Sequence, residues 1–305
     1  MADTPPPLAF DTSFAPETGR PVTVLPGVVR ITAGNASPYT FTGTNSFVLG
    51  ESHLAIVDPG PDEAAHRAAL LAAIGGCEVA AILLTHTHKD HSAGVPALRA
   101  ATGAPLWFAG RHRLSRKLRR FESNRLARAS DWDLVPDRTL GDGETFMAGD
   151  TRLVAVATPG HCANHMAFGL DGTDWLLSGD HVMGWNSTLV AVPDGSMADY
   201  LASLRKLIAL PYAHYLPAHG GPIMEARAYA RALLGHRQLR NRQVVDAVAA
   251  GARTTADLLA RMYPSLPPTL RGAAAMTLRA HIEYLADTGA IRMWRTPFGV
   301  RVGKV

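Results

Sequence analysis

Three histidines and one carboxylate fall within seven consecutive residues, Thr85 to His91, of this 305-residue chain. Neutral imidazole is a common ligand for zinc and other first-row divalent ions, and carboxylate oxygen joins it readily. The preceding apolar run, 79 to 84, is typical of a buried strand, so the cluster is expected at that strand's C-terminal end, where α/β proteins gather their active sites. A histidine-rich surface loop is the alternative. The spacing favours a metal site with the ligands His86, His88, Asp90 and His91.

Three further metal-competent side chains occur later, each directly after a short apolar run that ends at a turn or a small residue. His161 follows a Pro-Gly turn, Asp180 follows a Ser-Gly pair, and His219 precedes two glycines. If four such strand ends meet at one edge of the molecule, they bring seven ligands together. Each residue alone could be structural, but the repeated arrangement favours one metal centre.

The His-x-His-x-Asp-His element and the three later ligands together resemble the metallo-β-lactamase-fold hydrolases over about residues 20 to 225. Asp58, two residues before Gly60, is similar to that family's early Asp-x-Gly element, which supports the site. The resemblance implies an α/β fold, an αββα sandwich of two mixed sheets with helices outside. It also implies the ligand sets, which are His86, His88 and His161 for a first ion, Asp90, His91 and His219 for a second, and Asp180 as the bridge.

Such ligand sets imply a cofactor of two Zn²⁺ ions, or of other divalent first-row metals. Two neighbouring ions can share a hydroxide, because coordination lowers the pKa of water towards about 7. That metal-bound hydroxide would attack a carbonyl or phosphoryl centre, with Asp90 as the predicted catalytic residue that orients the water or receives a proton. Histidine ligands normally need an acceptor for their other ring nitrogen. The candidates for that supporting role are Asp58, Thr85 and His181.

Length and composition predict two domains. The chain exceeds the size at which one core usually stops growing, and 47% of its residues are hydrophobic. We expect a flexible lead-in over residues 1–20, a catalytic domain over 21–225 and a second domain over 226–305. No stretch approaches the roughly 20 apolar residues of a membrane span, the N-terminus lacks the features of a secretory signal, and the two cysteines imply no disulfide framework. These features favour a cytoplasmic enzyme without a membrane partner, and they leave the oligomeric state open.

The second domain is predicted to contain three helices and a hairpin. Residues 223–250 form a proline-free stretch dominated by Ala, Leu, Arg and Gln, and 254–262 form a short helix with a threonine near its N-cap. A third helix is expected over about 270–287, and residues 291–302 have the pattern of a β-hairpin. This order of elements resembles a winged helix.

The winged-helix-like domain, together with the run 43 to 49, resembles the branch of the family that contains beta-lactamase-like protein 2, an endoribonuclease acting on single-stranded RNA. Relatives of the same build include acyl-thioester hydrolases. A zinc-dependent hydrolase of single-stranded RNA is therefore expected, with an acyl thioester or another ester as the alternative substrate. A nucleic-acid-binding module with a degenerate metal site is a third interpretation, disfavoured because all seven ligands are intact.

Positive charge is concentrated between Arg111 and Arg128, where eight Lys and Arg residues stand against one acid, a local net charge of +7 in a chain of +4. Such a segment attracts phosphate, whether on RNA or on a carrier thioester. The alternative is an exposed helix whose arginines pair with neighbours. Large aromatic residues near the ligands could line a pocket or pack in the core. The resulting candidate substrate contacts are Arg116, Lys117, Arg119, Arg120 and Trp185.

Overall fold

The computed structural model describes residues 8–305. Residues 1–7 of the predicted lead-in lie outside the described residues, and residues 8–20 contain no helix or strand. This second part nevertheless lies against the rest of the chain. The Asp11 N–H donates to the carbonyl oxygen of Gly184 at 2.9 Å, and the Phe14 ring lies 4.8 Å from the Arg30 guanidinium. Residues 8–20 therefore run along the surface of the domain, in contact with it at Asp11 and Phe14, and most of them are exposed.

The first sheet contains seven strands that are neighbours in chain order. They are β1 (Pro21–Leu25), β2 (Val28–Thr32), β3 (Asn45–Leu49), β4 (His53–Val57), β5 (Glu78–Leu83), β6 (Leu106–Phe108) and β7 (Arg138–Thr139). Strands β1 to β4 pair antiparallel, whereas β4 to β7 pair parallel. The apolar run that the sequence marks as a buried strand is β5, and its C-terminal end leads directly into the histidine cluster.

The second sheet contains five strands in the order β12-β11-β10-β9-β8. They are β8 (Thr145–Ala148), β9 (Thr151–Ala157), β10 (Met166–Leu170), β11 (Trp175–Gly179) and β12 (His214–Pro217). Strands β8 to β11 form an antiparallel meander, and β12 pairs parallel with β11. Because β11 and β12 are parallel, their last residues, Gly179 and Pro217, lie at the same edge of the sheet. The residues that follow them also lie at that edge.

The two sheets pack face to face, and helices cover both outer faces. Phe47 and Leu83 of the first sheet share one buried core with Phe168 and Leu177 of the second. The helices are α1 (Ala64–Ile74), α2 (Lys89–Ser92), α3 (Val95–Thr102), α4 (Met197–Ala209) and α5 (Ala226–Ala249). Helices α1 and α3 bury their apolar stripes on the first sheet, and α4 and α5 bury theirs on the second. The expected αββα sandwich is confirmed.

The C-terminal region continues with α6 (Thr255–Met262), α7 (Pro268–Asp287), β13 (Arg292–Thr296) and β14 (Gly299–Gly303). Thr254 and Asp257 form a reciprocal capping box at the start of α6. The helices and the hairpin enclose a core of their own, to which α5 contributes Val244 and Val248. Leu233, earlier in α5, belongs to the core of the catalytic sandwich. The first part of α5 therefore packs on the catalytic sandwich and its last part on the C-terminal core, whereas the sequence suggests a domain boundary at residue 225.

None of the helices within residues 8–305 combines the length and the apolarity that crossing a bilayer requires.

Candidate metal centre and substrate cavity

Four strand ends carry the seven candidate ligands to one edge of the sandwich. The turn after β5 holds His86 and His88 and leads into α2, which carries Asp90 and His91. The segments after β9, β11 and β12 supply the remaining ligands, His161, Asp180 and His219. The structure thus brings together every residue that the sequence marks as a ligand, because the carboxyl ends of these strands share the same side of the fold.

Three imidazoles converge at the first half of the centre. The Nδ1 atom of His88 lies 3.0 Å from Nε2 of His86 and 2.9 Å from Nε2 of His161. All three side chains are buried. Burial, then the neighbouring His91 and His88, lowers the pKa of His86 well below its ordinary value, and burial also lowers that of His161 to about 4. Both rings are therefore neutral at pH 7, the form in which imidazole binds a metal.

A second group forms around Asp180. The Oδ1 atom of Asp180 lies 3.3 Å from Nε2 of His219 and 3.5 Å from Nε2 of His91, while Oδ2 lies 3.6 Å from Nε2 of His161. Asp90 Oδ2 lies 3.4 Å from Nε2 of His219 and 3.6 Å from that of His91. One oxygen of Asp180 thus faces each group, which is the arrangement a bridging carboxylate requires.

The residues present fit divalent metal ions. His91 Nε2, His219 Nε2 and Asp180 Oδ1 are buried polar atoms without a hydrogen-bond partner anywhere in the described part of the chain. Leaving such atoms unpaired is costly, and a cation bound between them removes that cost. The donor set of imidazole and carboxylate suits zinc and other first-row ions.

Asp58 and Thr85 contact the Nδ1 atoms of the candidate ligands His91 and His86. Asp58 Oδ2 lies 3.0 Å from Nδ1 of His91, and the same carboxylate accepts hydrogen bonds from the Thr85 N–H and hydroxyl at 2.8 and 2.7 Å. The Thr85 hydroxyl lies 3.0 Å from Nδ1 of His86. These contacts fix the orientation of two rings. His181 differs, since its ring packs 4.6 Å from that of Tyr200 and makes no hydrogen bond to a ligand side chain within residues 8–305.

Two further residues contact the candidate ligands, and no sequence motif identifies either of them. The carboxylate of Asp194, fully buried, lies 2.9 Å from Nε2 of His88 and 2.8 Å from Nε2 of His112. His165 accepts the Asp180 N–H at Nε2, 3.0 Å away. Asp194 stands in a Pro-Asp-Gly turn, a sequence that indicates a turn and nothing more, and it reaches the centre only through the tertiary fold.

A cavity of about 730 Å³ opens at the metal centre. Its lining includes the candidate ligands His88, Asp90, His161 and Asp180, together with residues of α7 and of the segment before it. Most of the wall is apolar, with contributions from Leu126, Met183, Leu189, Leu266, Leu270 and Met276. Trp185 lines it and stacks on Phe41, with ring centroids 4.9 Å apart. The size of this cleft and its mostly apolar walls are typical of a small-molecule site.

The basic segment 111–128 is an irregular loop rather than the helix that one alternative considered. Arg116 donates to both Glu122 and Glu283, and Arg119 lies 3.8 Å from Asp287. Arg120 lies over Phe121. None of the predicted contacts Arg116, Lys117, Arg119 and Arg120 is among the described residues that line the cavity, and from this segment Arg125 and Leu126 do so. The charges of Arg116 and Arg119 are thus balanced within the chain.

Comparison with known proteins identifies relatives of this architecture. A sequence profile of the metallo-beta-lactamase superfamily matches residues 39–219. Lactamase-like protein adaB of Aspergillus niger is 30% identical over 280 residues, which cover 85% of this chain and 80% of that protein. The atrochrysone carboxyl ACP thioesterase of Aspergillus fumigatus is 30% identical over 260 residues, covering 79% and 75%. The Drosophila melanogaster homolog of beta-lactamase-like protein 2 is 26% identical over 278 residues, covering 87% and 90%.

Among solved structures, a metallo-beta-lactamase family protein from Thermus thermophilus superposes with a TM-score of 0.76 at 27% identity. The match covers 93% of this chain and all of that one, so it includes the C-terminal helices as well as the sandwich.

Proposed function

Because the chain belongs to the metallo-β-lactamase superfamily and is a metal-dependent hydrolase, we propose that its substrates are acyl thioesters or related esters with an apolar, ring-sized acyl group. Two divalent ions, zinc or another first-row metal, would be held by the seven ligands. His86, His88 and His161 would hold one ion, Asp90, His91 and His219 the other, and Asp180 would contact both. Such ions supply Lewis acidity and lower the pKa of water towards about 7 when bound.

The chain's own residues would orient the substrate and handle the proton. Hydrolysis forms a bond between a water oxygen and the carbonyl carbon and breaks the carbon–sulfur bond, and the departing thiolate takes up a proton. Asp90 lines the cavity, and its Oδ2 lies 3.4 Å from Nε2 of His219 and 3.6 Å from Nε2 of His91. An ionised Oδ2 there is available to accept a proton from the attacking water.

The cavity is the observation that carries this proposal. It combines about 730 Å³, mostly apolar walls and direct contact with the candidate ligands, which together suit one bulky acyl group. The Trp185–Phe41 stack offers a flat apolar surface at its side. The Aspergillus fumigatus relative, by its name, acts on an acyl group carried as a thioester, and it matches 79% of this chain.

Single-stranded RNA, the substrate expected first from the sequence, has less support. Sequence-tolerant binding of a single strand uses an open basic groove with aromatic platforms. In this chain the four basic residues predicted to contact RNA do not line the cavity, and two of them, Arg116 and Arg119, pair with carboxylates of the C-terminal region. Because the sequence analysis predicts RNA first, single-stranded RNA is the comparison substrate in the test.

The test compares metal-loaded protein on benzoyl and acetyl thioesters of N-acetylcysteamine and on a single-stranded RNA oligonucleotide. We expect hydrolysis of the benzoyl thioester, slower hydrolysis of the acetyl one, and loss of both in His86→Ala. A Leu270→Arg variant, which places charge on the apolar wall away from the ligands, should raise KM for the benzoyl substrate. Cleavage of RNA without hydrolysis of either thioester would overturn the proposal.

A further inference from the structure

Four cationic side chains line the cavity: Lys89, Arg125, Arg237 and Arg240. Lys89 and Arg125 are exposed at the mouth, Arg240 is half-buried, and Arg237 is 2% exposed. Within residues 8–305, none of the four lies within 4 Å of a carboxylate. The acids of the lining, Asp90 and Asp180, are candidate metal ligands. The cavity therefore has an excess of positive charge.

Arg237 and Arg240 stand one turn apart on α5 and are the inner pair. Arg237 donates through Nη2 to the carbonyl oxygen of Thr188, and the next carbonyl, of Leu189, lies 2.7 Å from Nδ1 of the candidate ligand His161. Arg240 donates to Gln243 at 2.9 Å and lies 4.6 Å from the Tyr263 ring. A backbone contact holds Arg237, and contacts with Gln243 and Tyr263 hold Arg240, in the lining of the cavity.

These guanidinium groups are incompletely satisfied. The Nε atoms of both Arg237 and Arg240 are buried, and neither has a hydrogen-bond partner in the described residues 8–305. An unpaired buried charge is costly to a fold, whereas the cost disappears when an anion binds. Burial and the charges of Arg237 and Arg240 lower the pKa of the adjacent His236 to about 4, so that ring stays neutral at pH 7.

From this geometry we propose that Arg237 and Arg240 bind an oxyanion of the substrate, a carboxylate or a phosphate. The planar fork of arginine matches the paired oxygens of both groups, and Lys89 and Arg125 at the mouth attract the anion towards it. The inference rests on the proposed function in one respect, namely that the oxyanion belongs to the thioester. It is carried either by the acyl group or by the phosphorylated arm of the carrier.

Four thioesters separate these two sources: benzoyl and para-carboxybenzoyl groups, each on N-acetylcysteamine and on coenzyme A. We expect Arg240→Gln to lower kcat/KM about tenfold or more for anionic substrates, as loss of a charge-assisted hydrogen bond predicts. If the pair binds the acyl carboxylate, both carboxybenzoyl substrates are affected. If it binds the carrier phosphate, both coenzyme A substrates are affected.

Arg242→Gln is the matched control, because it removes the same charge from an exposed position on the same helix. It should leave all four rates unchanged. An equal effect of Arg240→Gln on all four substrates, including the neutral benzoyl-N-acetylcysteamine, would overturn the proposal, as would no effect on any of them.

A binding measurement without turnover tests the oxyanion site independently of the proposed thioester hydrolysis. Terephthalate and inorganic phosphate are titrated into metal-loaded protein while the tryptophan fluorescence, which includes Trp185 of the cavity wall, is followed. We expect about tenfold weaker binding of at least one anion to Arg240→Gln than to Arg242→Gln. Arg237→Gln should repeat the effect if its unfolding temperature matches that of the wild type.

The hydrolysis rates and the anion affinities together show whether the oxyanion site or the thioesterase proposal fails. If no thioester is hydrolysed but the difference in anion affinity persists, the oxyanion site stands and the thioesterase proposal fails. If thioesters are hydrolysed and both variants bind terephthalate and phosphate equally, the oxyanion site is refuted while the proposed function stands.

Discussion

The Nη2 atom of Arg116 lies 2.6 Å from Oε1 of Glu283, which joins the loop 111–128 to helix α7 across 167 positions of sequence. Glu122 and Arg295 complete a buried cluster, in which Arg295 donates to Glu122 at 2.7 Å and to Glu283 at 2.8 Å. Two cations thus balance two anions. The loop and α7 both line the cavity, so this cluster holds two of its walls together.

Removing one member of the cluster should loosen the contact between the loop and α7. We expect Arg116→Ala to destabilise the protein by about 3 kcal/mol, because two buried carboxylates lose a partner. Arg120→Ala is the control, since the exposed Arg120 stacks on Phe121 at the surface. Thermal unfolding measures both variants. Equal unfolding temperatures would show that the cluster does not stabilise the fold.

The same cluster predicts a dependence of stability on pH. Burial alone would raise the pKa of Glu122, but hydrogen bonds from Arg116 and from the Arg119 N–H lower it to about 2, against 4.5 for an ordinary glutamate. The stabilisation is therefore complete above pH 4.5 and is lost as the pH falls towards 2. Denaturant unfolding between pH 6 and 3 should show this loss, and Glu122→Gln should be less stable at pH 6 but show a smaller decline.

Metal content should follow the two ligand groups. His88→Ala is expected to lose mainly one ion, whereas Asp180→Ala should weaken both sites, because its two oxygens face different groups. Elemental analysis after dialysis measures the outcome. His53→Ala is the control, because the His53 side chain is 58% exposed and His53 is not among the candidate ligands. Full occupancy in Asp180→Ala would contradict the bridging assignment.

Asp90→Asn keeps the size of the side chain and removes its charge. Turnover should fall by orders of magnitude while the fold persists, since a candidate ligand and a proton acceptor are lost together. Circular dichroism tests the fold. Elemental analysis shows how much of the lost turnover is due to loss of the second ion. Near-normal turnover with full metal content would remove Asp90 from the reaction.

Asp194→Asn tests a residue that acts through His88. The carboxylate lies 2.9 Å from His88 Nε2, and such partners typically change metal affinity about 10- to 100-fold. We expect weaker binding at the first site, measured by competition with a chelator, without loss of the fold. Unchanged affinity for both ions would show that Asp194 only supports packing around His112.

The candidate ligands could be predicted from the sequence because they come after apolar runs that end at turns. The same local pattern predicts where each strand ends. The partners of the basic loop could not be predicted from the sequence. Glu283 and Arg295 lie far along the chain, and composition does not reveal which charges pair. Arg237 and Arg240 lie on a helix rich in arginine, where only the tertiary fold distinguishes those two from Arg242. Asp194, likewise, reaches His88 across 106 positions.

The walls of the cavity come from parts of the chain that can change separately. The candidate ligands all precede residue 220, whereas Leu270, Ala273 and Met276 belong to α7 and are not part of the buried cores. Substitutions at these three positions can therefore alter the size and shape of the cavity without replacing a candidate metal ligand. Divergence of substrate range among relatives should consequently be concentrated at these positions of α7, and exchanging them should exchange preference while Glu283 keeps its partners in the loop 111–128.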